Sequence, residues 1–256
     1  MITWRKCGVW MKQSKNTDMI IDIHSHILPG IDDGSADMEE TLQMLMIAEQ
    51  EGITHMIATP HYKENRLQTN PEQIKALLDK VKKACEEQGI AINLYAGNEV
   101  YYFSDIEEAV EEGRLLALNE GNRMLVEFNP YADYKRIRNA VDTVRGLGFH
   151  PVIAHVERYD CMLKKPDNVE ELYDMDAEIQ VNAASITGEA GFKSKMFVHK
   201  LLKKHLVHYV GTDAHESKKR APKMKKCASI LRKKFGEEYA NELLYENALT
   251  NIINDN

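Results

Sequence analysis

An α/β barrel, distorted and TIM-like, with about seven parallel strands and surrounding helices, is the fold class this sequence predicts. From Met19 onward a short β-rich run, a polar loop and a longer segment with helical apolar spacing recur along the chain. That alternation favours parallel strands under covering helices. A chain of 256 residues is long enough for such a barrel in one domain. No Gly-x-Gly-x-x-Gly or Gly-Lys-Ser/Thr phosphate loop is present to favour an open nucleotide-binding sheet instead.

The first strand reads Met19-Ile20-Ile21-Asp22-Ile23-His24, and the helix after it carries Leu42, Leu45 and Met46 on one face before Gly52 ends it. Asp37 with Glu40 three residues on resembles a capping box at its start. The second strand is Thr54 to Thr59, stopped by Pro60, and its helix runs from about Pro71 to Gly89. The third is Ala91 to Ala96. After a short helical stretch around Ile106 to Glu112, Met124 to Phe128 gives the fourth strand, and Tyr134 to Leu147 the next helix. Pro151 to His155, Glu178 to Asn182 and Val207 to Gly211 complete the seven, with helices in the gaps and at the C-terminus.

Residues 1–18 hold Trp4, Arg5, Lys6, Lys12 and Lys15 but no continuous apolar stretch, so they fail as a signal peptide and are expected to be a leader or extension outside the core. Residues 19–256 are expected to form the single domain. No run is long and apolar enough to span a membrane. A formal charge of −7 disfavours a surface built to neutralise a nucleic-acid backbone. Cys7, Cys85, Cys161 and Cys227 lie far apart with no Cys-x-x-Cys pair, which reads as free thiols in a reducing cytoplasm.

Histidines and acids fall at the strand ends. His24 and His26 finish the first strand and Asp33 follows in its loop; His61 follows the second, Glu99 the third, Glu127 ends the fourth, His155 the fifth, and Asp213 and His215 the seventh. Parallel barrel strands all open on one face at their C-terminal ends, so these nine side chains can converge. The two-residue period of a strand also puts His24 and His26 on one side, as chelation by a His-x-His pair requires. Each residue alone has an ordinary explanation; the set does not. Four ionised carboxylates in one pocket would repel unless cations intervened. Imidazole and carboxylate donors suit Mn²⁺, Zn²⁺, Fe²⁺ or Co²⁺; two such ions would neutralise the four carboxylates, and a third would make the pocket positive and attractive to a dianionic phosphate.

The run from Asp22 through His24, His26 and Asp33 to Ser35 resembles the opening motif of the polymerase-and-histidinol-phosphatase superfamily. More narrowly, it is similar to the bacterial tyrosine-protein phosphatases of capsule and exopolysaccharide synthesis. The likeness continues through Ala58-Thr-Pro-His61, Gly97-Asn-Glu99, Leu125-Val-Glu127, Ala154-His155-Val-Glu-Arg158 and Gly211-Thr-Asp213-Ala-His215. It implies a trinuclear, usually manganese-dependent centre on the nine residues above and phosphate binding by Arg158 and Arg220. It also implies hydrolysis of phosphotyrosine by a metal-activated hydroxide, on a tyrosine-phosphorylated partner protein such as a bacterial tyrosine kinase. A guanidinium fork matches two phosphate oxygens, which suits both arginines to that role.

The residues six after the four cysteines are Gln13, Ala91, Asp167 and Lys233, so the Cys-x5-Arg loop of cysteine-based tyrosine phosphatases is absent. Competing readings are a phosphoesterase acting on a small molecule such as histidinol phosphate, a nuclease-like module, and a non-catalytic metal-stabilised binding domain. The basic stretch Lys218-Lys219-Arg220 with Lys223, Lys225 and Lys226 reads as a solvated helix face or as an attractor for an acidic tail. The segment from Tyr62 to Asn70 reads as a rim loop or a plain connection.

Overall fold

A computed structural model describes residues 19–254. The expectations for residues 1–18, and Cys7 with them, lie outside the described residues. Nine short strands form: β1 Ile21–Ser25, β2 His55–Ala58, β3 His61–Tyr62, β4 Asn93–Ala96, β5 Glu99–Tyr101, β6 Arg123–Glu127, β7 His150–Ile153, β8 Glu178–Asn182 and β9 Tyr209–Gly211. They pair in parallel throughout, as a three-stranded sheet β1-β2-β4 and a six-stranded curled sheet β3-β5-β6-β7-β8-β9.

Nine strands stand where the sequence suggests seven because two of the seven are followed by short strands that join the other sheet. Pro60, which has no N–H to donate, separates β2 from β3. Gly97 and Asn98 separate β4 from β5, where the Asn98 amide donates to the Pro60 carbonyl at 3.0 Å and its side-chain oxygen accepts from the Leu116 N–H at 3.0 Å. The first strand meets the segment after β9: the His26 N–H donates to the Ala214 carbonyl, and the Asp213 N–H to the His24 carbonyl, each at 2.8 Å.

Helices fill the intervals: α1 Met38–Gln50, α2 Pro71–Gln88, α3 Ile106–Glu111, α4 Tyr134–Gly146, α5 Asp160–Lys164, α6 Asp167–Asp174, α7 Ala183–Thr187, α8 Phe192–Lys203, α9 Lys225–Phe235 and α10 Glu237–Asn241. The Asp37 carboxylate caps α1 by accepting from the Glu40 N–H at 2.9 Å, but the Glu40 carboxylate accepts instead from the Ser217 N–H, so only half of the capping box forms. The apolar stripe of α1 is also rotated from its expected position. Met44, Leu45 and Ala48 are buried, whereas Met46 is 40% exposed on the outer face. Gly89 ends α2 in the left-handed region at φ 70°, where a residue without a Cβ is favoured.

Strand alternation divides the core into two layers. Met124, Val126, Ile153, Val181 and Val210 belong to the larger cluster packed under the helices. Their neighbours Leu125, Val152 and Tyr209, with Ile21, Ile23 and Ile57, form a second apolar layer closed by Ala248 and Ile252 of the C-terminal segment. Glu127 shares the face of β6 that carries Leu125, two residues further toward the C-terminal end. The floor is therefore apolar and the rim polar. Among the described residues no helix is long and apolar enough to cross a membrane.

Candidate metal centre

All nine strand-end residues are brought together. Their donor atoms fall into four overlapping groups, each within 4.8 Å: His26, Asp33, His61 and His215; His24, His26 and Asp213; His24, Glu99 and His155; and His61, Glu99 and Glu127. Glu99 is the hub. Its fully buried carboxylate lies 2.9 Å from His61 and from His155, and 3.3 Å from His24 and from His26. Asp33 is the outlier in exposure: its side chain is 67% accessible, on the rim, 3.4 Å from His61 and 3.7 Å from His215.

Three histidines have their tautomer set by a neighbouring oxygen that can only accept. The Nδ1–H of His24 donates to Gln180 Oε1 at 3.2 Å, that of His26 to Asp32 Oδ2 at 2.7 Å, and that of His215 to the Asp213 carbonyl at 3.0 Å. When neutral, each then presents an unprotonated Nε2 to the centre. Asp32, Gln180 and Asn182 were not among the residues selected from the sequence. Asp32 also accepts from the His61 N–H at 3.0 Å and the Gly34 N–H at 2.9 Å. Gln180 also accepts from the His155 N–H at 2.7 Å and donates to Asn182, which donates to Asp213 at 2.9 Å. A signal for the last two existed: Gln180-x-Asn182 is a polar pair at strand spacing, alternating with buried Ile179 and Val181.

Backbone geometry is unusual at two of these positions. His155 has φ 30° and Asp213 φ 53°, the left-handed region that residues with a Cβ seldom occupy and that concentrates at functional sites. Gly211 is required for a different reason, since a Cβ there would stand 2.8 Å from the His24 Cβ.

The protonation pattern follows from crowding. Burial and the neighbouring Glu99 charge push the Glu127 carboxyl up to about 7. Glu99 is driven the other way: burial opposes its charge, but His24 and hydrogen bonds from His155, His24 and His26 hold it well below the usual carboxylate range. Burial likewise opposes a charge on His26, yet its bonds to Asp32 and Glu99 raise it to about 10. Burial, reinforced by Arg158, lowers His155 to about 4; burial, reinforced by His26, lowers His215 to about 3. Glu127 Oε2, His61 Nδ1 and His155 Nδ1 are buried without a hydrogen-bond partner. A buried donor set left in this state fits divalent cations, which satisfy lone pairs and offset carboxylate charge together.

The two arginines meet at one ligand-type carboxylate. Arg158 Nη2 pairs with Asp213 Oδ2, and Arg220 Nη2 lies 2.9 Å from Asp213 Oδ1. Both guanidiniums, about 40% exposed, edge a cleft of about 920 Å³ that opens beside the centre. None of the cysteines among the described residues belongs to the donor groups, and burial raises the thiols of Cys85, Cys161 and Cys227 away from the reactive thiolate form.

A histidine and carboxylate set of this size at the open end of a curled parallel sheet places the chain among metal-dependent hydrolases built on α/β barrels. Within that class it belongs to the capsular polysaccharide synthesis family CpsB/CapC, whose family model matches residues 20–254. Tyrosine-protein phosphatase CpsB of Streptococcus pneumoniae is 32% identical over 233 residues, 89% of this chain and 96% of that protein. A crystal structure from a study of YwqE from Bacillus subtilis and CpsB from Streptococcus pneumoniae, described as unique metal-dependent tyrosine phosphatases, superposes with a TM-score of 0.87 at 30% identity. The match covers 93% of this chain and 96% of that one. Histidinol phosphate phosphatase from Lactococcus lactis, at 15% identity and a TM-score of 0.50 over 84% of this chain and 92% of that one, shares the fold. The resemblance read from the motifs is borne out.

Proposed function

We propose that this chain is a protein-tyrosine phosphatase in which His24, His26, Asp33, His61, Glu99, Glu127, His155, Asp213 and His215 hold two or three divalent ions, Mn²⁺ foremost. Its substrate is a tyrosine-phosphorylated protein, in the first place a kinase of capsule or exopolysaccharide synthesis in the cytoplasm, and residues 19–256 act as one catalytic domain. The observation that carries this reading is the convergence of all nine donors beside a cleft edged by two arginines. Family membership supports the choice of ester.

Bound cations would supply a nucleophile at neutral pH by acidifying water and would stabilise charge on the phosphoryl oxygens. The chain's own groups do the rest. Arg158 and Arg220 present guanidinium N–H donors at the cleft and orient a phosphate dianion while sharing charge that builds on its oxygens. Gln180, Asp32 and the Asp213 carbonyl keep three imidazoles turned with Nε2 toward the centre, so no rotation is required when substrate arrives. The tyrosine leaving oxygen, with a pKa of about 10, departs more readily than an alkoxide and does not demand a strong general acid.

The test is an assay of chelator-stripped protein with Mn²⁺ restored, comparing a tyrosine-phosphorylated peptide, histidinol phosphate and a short single-stranded oligonucleotide. Preferential peptide turnover, lost in Glu99→Ala, strongly lowered in Arg158→Ala and unaffected by thiol alkylation, is the expected result. Preference for either other ester would overturn the substrate.

A further inference from the structure

The cleft beside the metal centre extends well beyond the two arginines. Lys219, Lys223, Lys225 and Lys226 line it together with Arg158, Asp213 and Arg220, and at about 920 Å³ it is far larger than one phosphate requires. Residues 218–226 hold six cations in nine positions, in a chain whose net charge is −7. Four acids, Glu51, Glu157, Glu189 and Asp213, share the cleft with six cations; Glu157 is buried and accepts from the Asn182 N–H, and Glu51 accepts from backbone N–H groups. Asp213 is engaged by both arginines, Glu189 pairs with Lys226 at 3.2 Å, and Lys219, Lys223 and Lys225 have no acidic side chain within ion-pair reach among the described residues.

Local stability does not explain the lysines either. Helix α9 begins at Lys225 with no acidic residue in its first turn, and Lys225 and Lys226 set positive charge against the positive end of its dipole. Its free N–H groups are met by Glu51, whose Oε2 accepts from Met224 at 3.1 Å and from Lys225 at 2.8 Å. The lysines therefore stand at the helix start without serving it.

We infer that this cleft is a peptide subsite in which Lys219, Lys223 and Lys225 receive an anionic side chain, a carboxylate or a second phosphate, on the polypeptide that carries the phosphotyrosine. The inference rests on the phosphotyrosine reading of the centre. An extended peptide advances about 3.3 Å per residue, so a group a few residues from the phosphotyrosine can reach the lysines while the phosphate is held by Arg158 and Arg220.

The experiment compares three phosphotyrosine peptides that differ in their flanks: neutral, glutamate-bearing, and carrying a second phosphotyrosine. Each is assayed for kcat/KM with Mn²⁺-loaded protein. The same three, built on a non-hydrolysable phosphonate analogue, are measured by fluorescence anisotropy. Exposed ion pairs contribute modestly, so three lysines together should favour an anionic flank about tenfold, mostly through KM. The ratio should fall toward one in Lys219→Ala/Lys223→Ala/Lys225→Ala and in about 1 M salt, where the screening length is ~3 Å, and persist in the corresponding triple arginine variant. The glutamate and second-phosphate arms identify which anion is read. Equal rates on all flanks, or a preference that survives the alanine variant, would overturn the inference while leaving the phosphatase reading intact. If no peptide is turned over, the phosphotyrosine reading fails, and equal anisotropy affinities would then dismiss the subsite independently.

Discussion

Replacing Asp32 by Asn should weaken metal binding although Asp32 is not among the nine donors. Its fully buried carboxylate takes three hydrogen bonds, from the His26 Nδ1–H, the His61 N–H and the Gly34 N–H. Burial opposes its ionisation, but the bond and charge of His26 hold it down at about 2, so it is an anion at every physiological pH. Asparagine has a single acceptor oxygen. Turned toward His26 and His61, it leaves an NH₂ facing the Gly34 N–H, a buried mismatch costing about 1–3 kcal/mol. The imidazole meanwhile loses the negative partner that makes its Nε2 more basic. Removal of such a partner typically lowers metal affinity about 10–100-fold, equivalent to about 1.4–2.7 kcal/mol. Calorimetric titration of Mn²⁺ into the stripped variant, with thermal unfolding alongside, reads both effects. Turnover at saturating Mn²⁺ should fall by a much smaller factor than affinity. An unchanged Mn²⁺ affinity in a folded variant would refute the role assigned to Asp32.

The same electrostatics make metal binding pH-dependent: His26 keeps its proton to about 10 and Glu127 to about 7, and a cation must displace both. Mn²⁺ affinity should therefore rise with pH, releasing at least two protons below pH 7 and one fewer above it; calorimetry in buffers of different ionisation enthalpy would expose a pH-independent affinity. Gly211→Ala sets a methyl 2.8 Å from the His24 Cβ and should cost about 1–3 kcal/mol of stability together with metal affinity, read by denaturant unfolding with and without Mn²⁺. If Arg158 and Arg220 hold the phosphate as proposed, Arg158→Ala and Arg220→Ala should each lower kcat/KM on a phosphotyrosine peptide about 10–100-fold; wild-type values in either variant would remove that arginine from the site.

Much of the candidate donor cluster could be read directly from the chain. All nine candidate donors, Asp33 included, are legible because strand periodicity and the common direction of parallel strands bring residues at and just past strand C-terminal ends onto one rim; His61 and Glu99 stand just past β2 and β4, as the first residues of β3 and β5. The alternation of apolar runs with helical segments likewise specified the parallel sheet and its covering helices. Those are local properties, repeated often enough along the chain to be seen without a third dimension.

Other features depend on contacts between residues far apart in sequence. Asp32 and Asp33 are adjacent and chemically identical, yet one is buried beneath His26 and the other stands exposed on the rim; only the fold of their loop against β3 separates them. Gln180 reaches back across 156 residues to His24, and Glu40 leaves its own helix cap for Ser217, 177 residues away. The strand breaks after Ala58 and Ala96 belong to the same category, because the two sheets compete for the backbone hydrogen bonds of one chain. Composition and period decided which chemistry the chain carries. Long-range packing decided which imidazole nitrogen faces the centre, which carboxylate is ionised, and where the cleft opens.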